Sequence, residues 1–318
     1  MSGRDHGDVW AMLRAESQAW AIEPTRLSGM VALMARGERM AAPARNSNGA
    51  PAGIAVVGIT GPLMRNGGMM SDYFGFSNYA AIRGKLYEAL SDRSVSKILL
   101  YVDSPGGAAT GCDELGADIA AAARVKPMAA FVDGLAASAG YWLASQAPQI
   151  TMTTSGEVGS IGVLCLHTDV SRALGVAGIQ PTFIVSRASP FKVEANSFEP
   201  LSAVARAHMQ DGVDKVADRF ISAVASGRRV SAATVRSNFG KGRTLRADAA
   251  RAAGMVDRIG TLRDAVGLSG SSSTSATAQI SDSDRIAYRR RRLELEAMTP
   301  QERGSADRLR RLTILEQS

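Results

Sequence analysis

The sequence predicts an α/β domain, layered around a mostly parallel sheet. Three observations carry that prediction: short apolar runs rich in β-branched residues, amphipathic stretches between them, and repetition of this β-then-α order through the middle of the chain. Composition fits the same class. Of 318 residues, 45% are hydrophobic, 21% charged and only 5% aromatic, with 32 glycines. Such a chain packs by close backbone approach more than by large rings.

Residues 1–52 read as a helical N-terminal arm, because Trp10, Leu13, Trp20 and Ile22 alternate with charges and Leu27–Met40 repeats the pattern. A Pro/Asn/Gly break at Ala42–Gly53 ends it. Gly53–Leu63 then reads as a strand through Ile54, Val56, Val57 and Ile59, and Asn78–Ser91 as an amphipathic helix. Ser96–Asp103 is a strand buried on both faces by its run Ile98, Leu99, Leu100, Val102. Helix Gly111–Arg124 and strand Pro127–Val132 follow, then an apolar helix from about Ala139 to Ala147. Short strands are predicted at Gln149–Thr153, Ser160–Leu166 and Thr182–Ser186, and helices at Ser202–Ser226, Ala232–Phe239 and Arg246–Ala253. Ser269–Ser283, rich in Ser, Thr and Ala, reads as a linker, and Asp284–Ser318 as a charged helical tail. The expected organisation is therefore an arm (1–52), a catalytic-sized domain (53–268), a linker (269–283) and a tail (284–318).

Charge and cysteine content narrow the function classes. The net charge of +7 permits contact with nucleic acid, but the excess is spread along the chain and no nucleic-acid motif accompanies it. Arg289–Arg292 is followed closely by Glu294 and Glu296, which suits a solvated helix with internal ion pairs. Cys112 and Cys165, both in apolar segments, read as reduced thiols rather than a disulfide framework. His6, His167 and His208 do not cluster, so no metal and no cofactor is expected. With no leader pattern and no apolar run of membrane-spanning length (~18 residues), the expected location is the cytoplasm.

The chemistry-bearing candidates sit where strands meet helices. Ser138 lies among Ala136, Ala137, Ala139 and Gly140 at a strand-to-helix turn. Two roles fit a serine there: an N-cap, and a nucleophile whose oxyanion is met by free N–H groups. Ser104-Pro105-Gly106-Gly107 ends the preceding buried strand, and its two glycines either make an ordinary turn or expose N–H groups toward an anion. Ser160, 22 residues after Ser138, stands in a glycine-bounded segment. Lys192 stands between Phe191 and Val193; a lysine acts as a base only when neutral, and desolvation by such neighbours favours that form. His167 with nearby Asp169 offers an alternative triad.

In order, Gly53–Leu63, Asp103–Gly107, Ala137–Trp142, Gly159–Val163, Phe191–Ser202 and Ala249–Asp257 form a set that resembles the signal peptide peptidase A family of serine–lysine peptidases, within the ClpP/crotonase superfamily. The likeness is greatest to its phage head maturation branch. The resemblance implies repeated β-β-α units, Ser138 as nucleophile, Lys192 as general base, Ser160 orienting the lysine amine, and oxyanion donors at Gly106, Gly107 and Ala139. Ala139 departs from the glycine often found at that place. The resemblance further implies protein substrates (scaffold, portal or capsid proteins), a homo-oligomer with sites completed between subunits, and no membrane anchor. Competing readings are a general or signal-peptide peptidase of the same family, a catalytically vestigial assembly protein, and a crotonase-like acyl-CoA enzyme, which leaves the Ser–Lys set unexplained.

Overall fold

The computed structural model describes residues 19–24, 32, 51–65 and 76–267. The chain divides into two units, Met1–Ser269 and Gly270–Ser318. The expected linker, charged tail and most of the N-terminal arm lie outside the described residues.

Strands in chain order are β1 (Trp20–Ile22), β2 (Ile54–Thr60), β3 (Leu63–Met64), β4 (Ser77–Asn78), β5 (Lys97–Ser104), β6 (Gly106–Ala108), β7 (Met128–Ala137), β8 (Ile150–Met152), β9 (Glu157–Gly159), β10 (Thr244–Arg246) and β11 (Arg258–Ile259). Helices are α1 (Tyr79–Ser91), α2 (Cys112–Val125), α3 (Ala139–Ala144), α4 (Ser171–Val176), α5 (Ala203–Arg228), α6 (Ala232–Asn238), α7 (Ala247–Ala252) and α8 (Leu262–Val266).

The three apolar runs become adjacent parallel strands. β2 pairs β5 from Ile54↔Lys97 to Thr60↔Asp103, and β5 pairs β7 from Ile98↔Met128 onward. Their residues alternate between two covered faces, which is why they read as continuous hydrophobic stretches. Leu100, Val102, Ala130 and Val132 belong to the main core, while Leu99, Ala129 and Phe131 pack on the other side with Ala265. β7 is long enough to serve two neighbours: its first half pairs β8 and its last three residues pair β9, both in parallel. β10 closes that edge antiparallel to β9, and β11 lies parallel to β8. A second small sheet, in the order β1-β6-β3-β4, stands where β5 runs out.

Side-chain chemistry explains where the helices begin and how they dock. Asn78 caps α1 by accepting the Ala81 N–H at 2.7 Å, and Ser202 caps α5 by accepting the Ala205 N–H at 3.1 Å. Trp142 of α3 is fully buried and stacks on Phe220 of α5, with ring centroids 4.5 Å apart. Two buried tyrosines pin backbone at a distance: Tyr79 Oη donates to Ala108 O at 2.6 Å, and Tyr141 Oη to Met255 O at 2.8 Å. Arg228, at the end of α5, donates to both carboxylate oxygens of Asp257, whose Oδ2 also accepts the Ile150 N–H.

Three expected elements differ. Trp20–Ile22 is a strand, not the end of a helix, because its backbone is paired on both sides. Ser160–Leu166 forms no strand beyond an isolated bridge at Leu164. Thr182–Ser186 is irregular, and Ile184 is 97% exposed; its β-branched residues lack the neighbouring strand that would give them a pleated surface. Of the two cysteines, Cys112 is buried and Cys165 half-buried, both as free thiols.

Candidate active site

Ser138 ends the long strand β7 and begins α3. Its backbone stands at φ 53°, ψ −121°, a positive-φ conformation that L-residues occupy at a cost of order 1–3 kcal/mol. Two backbone bonds hold it there: its N–H donates to Gly159 O at 2.7 Å, and its carbonyl accepts the Trp142 N–H at 2.9 Å. The Ser138 side chain makes no capping bond to the helix it precedes. Its Oγ is buried without a hydrogen-bond partner, and the residue is 1% exposed. The N-cap role is therefore absent, and the geometry is that of a sharp strand-to-helix turn presenting a hydroxyl.

The sheet register brings Ser160 alongside. Ala137 pairs with Gly159 in the parallel β7–β9 ladder, so the next residue on each strand is Ser138 on one side and Ser160 on the other. Neighbouring strands are about 4.8 Å apart. Ser160 is itself buried and at positive φ (52°), held by its N–H donating to Arg243 O at 2.9 Å. Two strained serines thus stand side by side.

The glycine pair closes a third side. A β-carbon placed on Gly106 would lie 2.9 Å from Ser138 Cβ, 3.0 Å from Ala137 O and 2.2 Å from Ala21 O. On Gly107 it would lie 1.9 Å from Leu63 O, so neither position admits a side chain. The Gly106 N–H donates to Ser104 Oγ at 3.1 Å, and that hydroxyl in turn donates to Gly61 O at 2.7 Å. Gly107 stands opposite Ala21 in an antiparallel ladder. The bonds Glu23 N–H to Pro105 O and Ala109 N–H to Ala19 O, two rungs away on either side, fix the alternation. Gly107 and Ala21 therefore exchange their N–H and C=O groups. Ala139 sits in the first turn of α3, where its N–H has no acceptor within the helix.

Lys192 stands on a segment outside the sheet. It lies on a 3₁₀ turn, Pro190–Val193, in a segment between Ile161 and Leu201 that is irregular apart from that turn and α4. Lys192 is exposed and Phe191 is 68% exposed, so the expected desolvation by flanking apolar residues is not achieved within one chain. Adjacent apolar residues shield a lysine only when something else covers all of them. Among the described residues no hydrogen bond joins Lys192 to Ser138 or Ser160. His167 does not replace it: its Nε2 is 2.8 Å from Asn196 O, and it lines a cavity with Cys165, Leu201 and Arg206. Asp169, exposed, accepts the Ser171 N–H at 2.8 Å, and the Ser171 hydroxyl foremost, then that N–H, lowers its carboxyl below the ordinary value.

Sequence reasoning missed β1 and its Ala21 carbonyl beside Ser138. The only signal was Trp20-Ala21-Ile22 itself, three residues whose pattern fits a helix as well.

A serine displayed on a strained turn at the end of a parallel strand, beside a glycine pair, defines a class of serine-hydrolase-like sites. Residues 120–270, which contain Ser138, Ser160 and Lys192, match the model of peptidase family S49. The chain is 36% identical over 203 residues to the head-tail preconnector protein GP5 of Enterobacteria phage P21, covering 63% of this chain and 39% of that protein. It is 33% identical over 174 residues to the capsid assembly protease C of Escherichia phage lambda, covering 55% of this chain and 39% of that one. Protease 4 of Salmonella typhi is 30% identical over 214 residues, which make up 67% of this chain and 33% of that protein. The chain thus spans well under half the length of these relatives. Among the described residues, no helix is long and apolar enough to cross a membrane.

Proposed function

We propose that the protein is a serine endopeptidase acting in phage capsid assembly, with Ser138 as its nucleophile. One observation carries the reading: Ser138 Oγ is buried, unpartnered and held at strained backbone angles against Gly106. A structural serine would use its hydroxyl; this one is kept free of bonds at an energetic cost. The capsid assignment rests on the names of two relatives, a capsid assembly protease and a head-tail preconnector protein. Scaffold, portal or capsid proteins are the proposed substrates.

In the proposed mechanism Lys192 takes the Ser138 proton as Oγ attacks the scissile carbonyl. Ser160, one rung away, orients the amine. The N–H groups of Gly107 and Ala139 hold the developing oxyanion. Gly106 serves there only if its N–H leaves Ser104 Oγ. The protonated lysine then donates to the departing amine, and water releases the acyl group. Because Lys192 is exposed on its segment, a second copy of the chain supplies it. Leu166, Val176, Ile179, Ile184 and Phe191 on that segment are exposed apolar residues suited to such an interface.

A fluorophosphonate probe tests this reading. Wild type labels once and Ser138→Ala not at all, with peptide hydrolysis reduced on the order of 10⁴-fold or more. Lys192→Ala is equally inactive. Equal mixing of the two inactive variants restores activity at about one site in four if each site draws on two copies. Labelling of Ser138→Ala would refute the nucleophile, and activity of Lys192→Ala the base.

A further inference from the structure

The Ser138 cleft in this structure is filled by the chain's own segment Ala19–Glu23. It runs extended through β1, and Trp20, Ala21 and Ile22 are all buried. Both of its edges are paired. On one side it lies antiparallel to Gly106–Ala108, with Ala21 opposite Gly107. On the other, Trp20 donates its N–H to Leu164 O at 2.8 Å and accepts the Leu164 N–H at 2.9 Å. Leu164 lies four residues past Ser160. The segment is thus an added strand between the glycine loop and the chain leaving Ser160, which is how an extended peptide binds a sheet edge.

The register sets one carbonyl at the nucleophile. Ala21 O and Ser138 Cβ lie 2.2 and 2.9 Å from the same point beside Gly106. That oxygen accepts the N–H of Gly107, the group assigned above to the oxyanion. The residue on display is small and fully buried, so its place is enclosed by the fold. Ser138 Oγ is shut off from solvent in this arrangement.

We propose that Ala19–Glu23 is a built-in pseudosubstrate: it occupies the substrate strand's place, presents Ala21 at the attacked position, and must leave before a protein substrate enters. The inference rests on Ser138 being the nucleophile. It also defines the substrate class, an extended segment with alanine or glycine at the residue whose carbonyl is attacked. The intramolecular strand competes at a high effective concentration, on the order of millimolar, so substrates with weaker strand pairing are excluded.

A reversible lock tests it in the full chain. Trp20 and Leu164 exchange both hydrogen bonds, and such opposed residues are about 5.5 Å apart at Cα, within disulfide range. In a Cys165→Ser background, Trp20→Cys with Leu164→Cys should label at Ser138 at least tenfold more slowly when oxidised than when reduced. A synthetic peptide of residues 17–26 should in turn inhibit the reduced form or be cut between Ala21 and Ile22. Equal labelling of oxidised and reduced forms, with the disulfide verified by mass, overturns the pseudosubstrate while leaving the nucleophile standing. No labelling in either form, or in wild type, overturns both. If the double-cysteine variant does not fold, the peptide is tested on wild type: neither inhibition nor cleavage at millimolar concentration overturns the proposal.

Discussion

The sheet-and-helix body that carries Ser138 and the irregular segment that carries Lys192 obey different rules. In the body, β5, β7 and α3 bury nearly every side chain, and tyrosine hydroxyls reach across to pin distant carbonyls. Between Ile161 and Leu201 the balance reverses: Val176, Ile184 and Phe191 face solvent, and the chain is held largely by bonds within the segment, such as Val170 N–H to Ser197 O and Asn196 Nδ2 to Val193 O. The body is determined by its own sequence. The segment leaves its apolar residues Val176, Ile184 and Phe191 uncovered by its own chain.

Three substitutions break or sharpen that contrast. Trp142→Ala removes the ring stacked on Phe220 in the centre of the body, and should cost about 3–5 kcal/mol in chemical unfolding. A loss under 1 kcal/mol would show that the body is less tightly determined than its burial indicates. Tyr79→Phe deprives Ala108 O, next to the glycine pair, of its buried donor, with an expected cost of about 1–3 kcal/mol. The same residue has a pH signature. Burial foremost, then neighbouring Cys112, pushes the Tyr79 hydroxyl well above its ordinary value, and burial does the same to Tyr141. The unfolded chain releases these protons from about pH 10 while the folded chain keeps them. Stability contributed by the neutral hydroxyls is complete below that pH and falls as pH rises beyond it. Denaturation curves should slope less steeply with pH above about 10 in Tyr79→Phe than in wild type. Smallest in stability is Ile184→Ser, which should shift unfolding by no more than about 0.5 kcal/mol. Its effect should appear instead as a lower sedimenting mass and weaker peptide hydrolysis. A change in stability comparable to that of Trp142→Ala would mean the segment packs on its own body.

The same contrast explains what could be read from residues alone. β2, β5 and β7 were legible because strands buried on both faces need unbroken apolar runs. Ser138 was legible as a turn residue, but its freedom from capping depends on backbone angles that no residue type declares. The Ser138–Ser160 juxtaposition comes from the β7–β9 register, a long-range property. Thr182–Ser186 was misread because β-branched residues signal a strand only when a partner strand exists. Lys192 was expected to be shielded by Phe191 and Val193; shielding is a property of what covers a segment, which local sequence does not contain. β1 was hidden because three residues cannot reveal a period.

The rung that sets Ser160 beside Ser138 also bears on how such a site tolerates change. Its geometry depends on hydrogen bonds between β7 and β9, whereas the chain between the two serines travels through α3 and β8 before returning. Residues inserted in the turns of that excursion lengthen the path without moving its ends, since loop length is entropically inexpensive. One residue added inside β9 shifts every later side chain to the opposite face of the sheet and takes Ser160 out of the site. A search for distant cousins by fixed serine-to-serine spacing would therefore discard intact sites and keep broken ones, whereas matching the paired strands would sort them correctly.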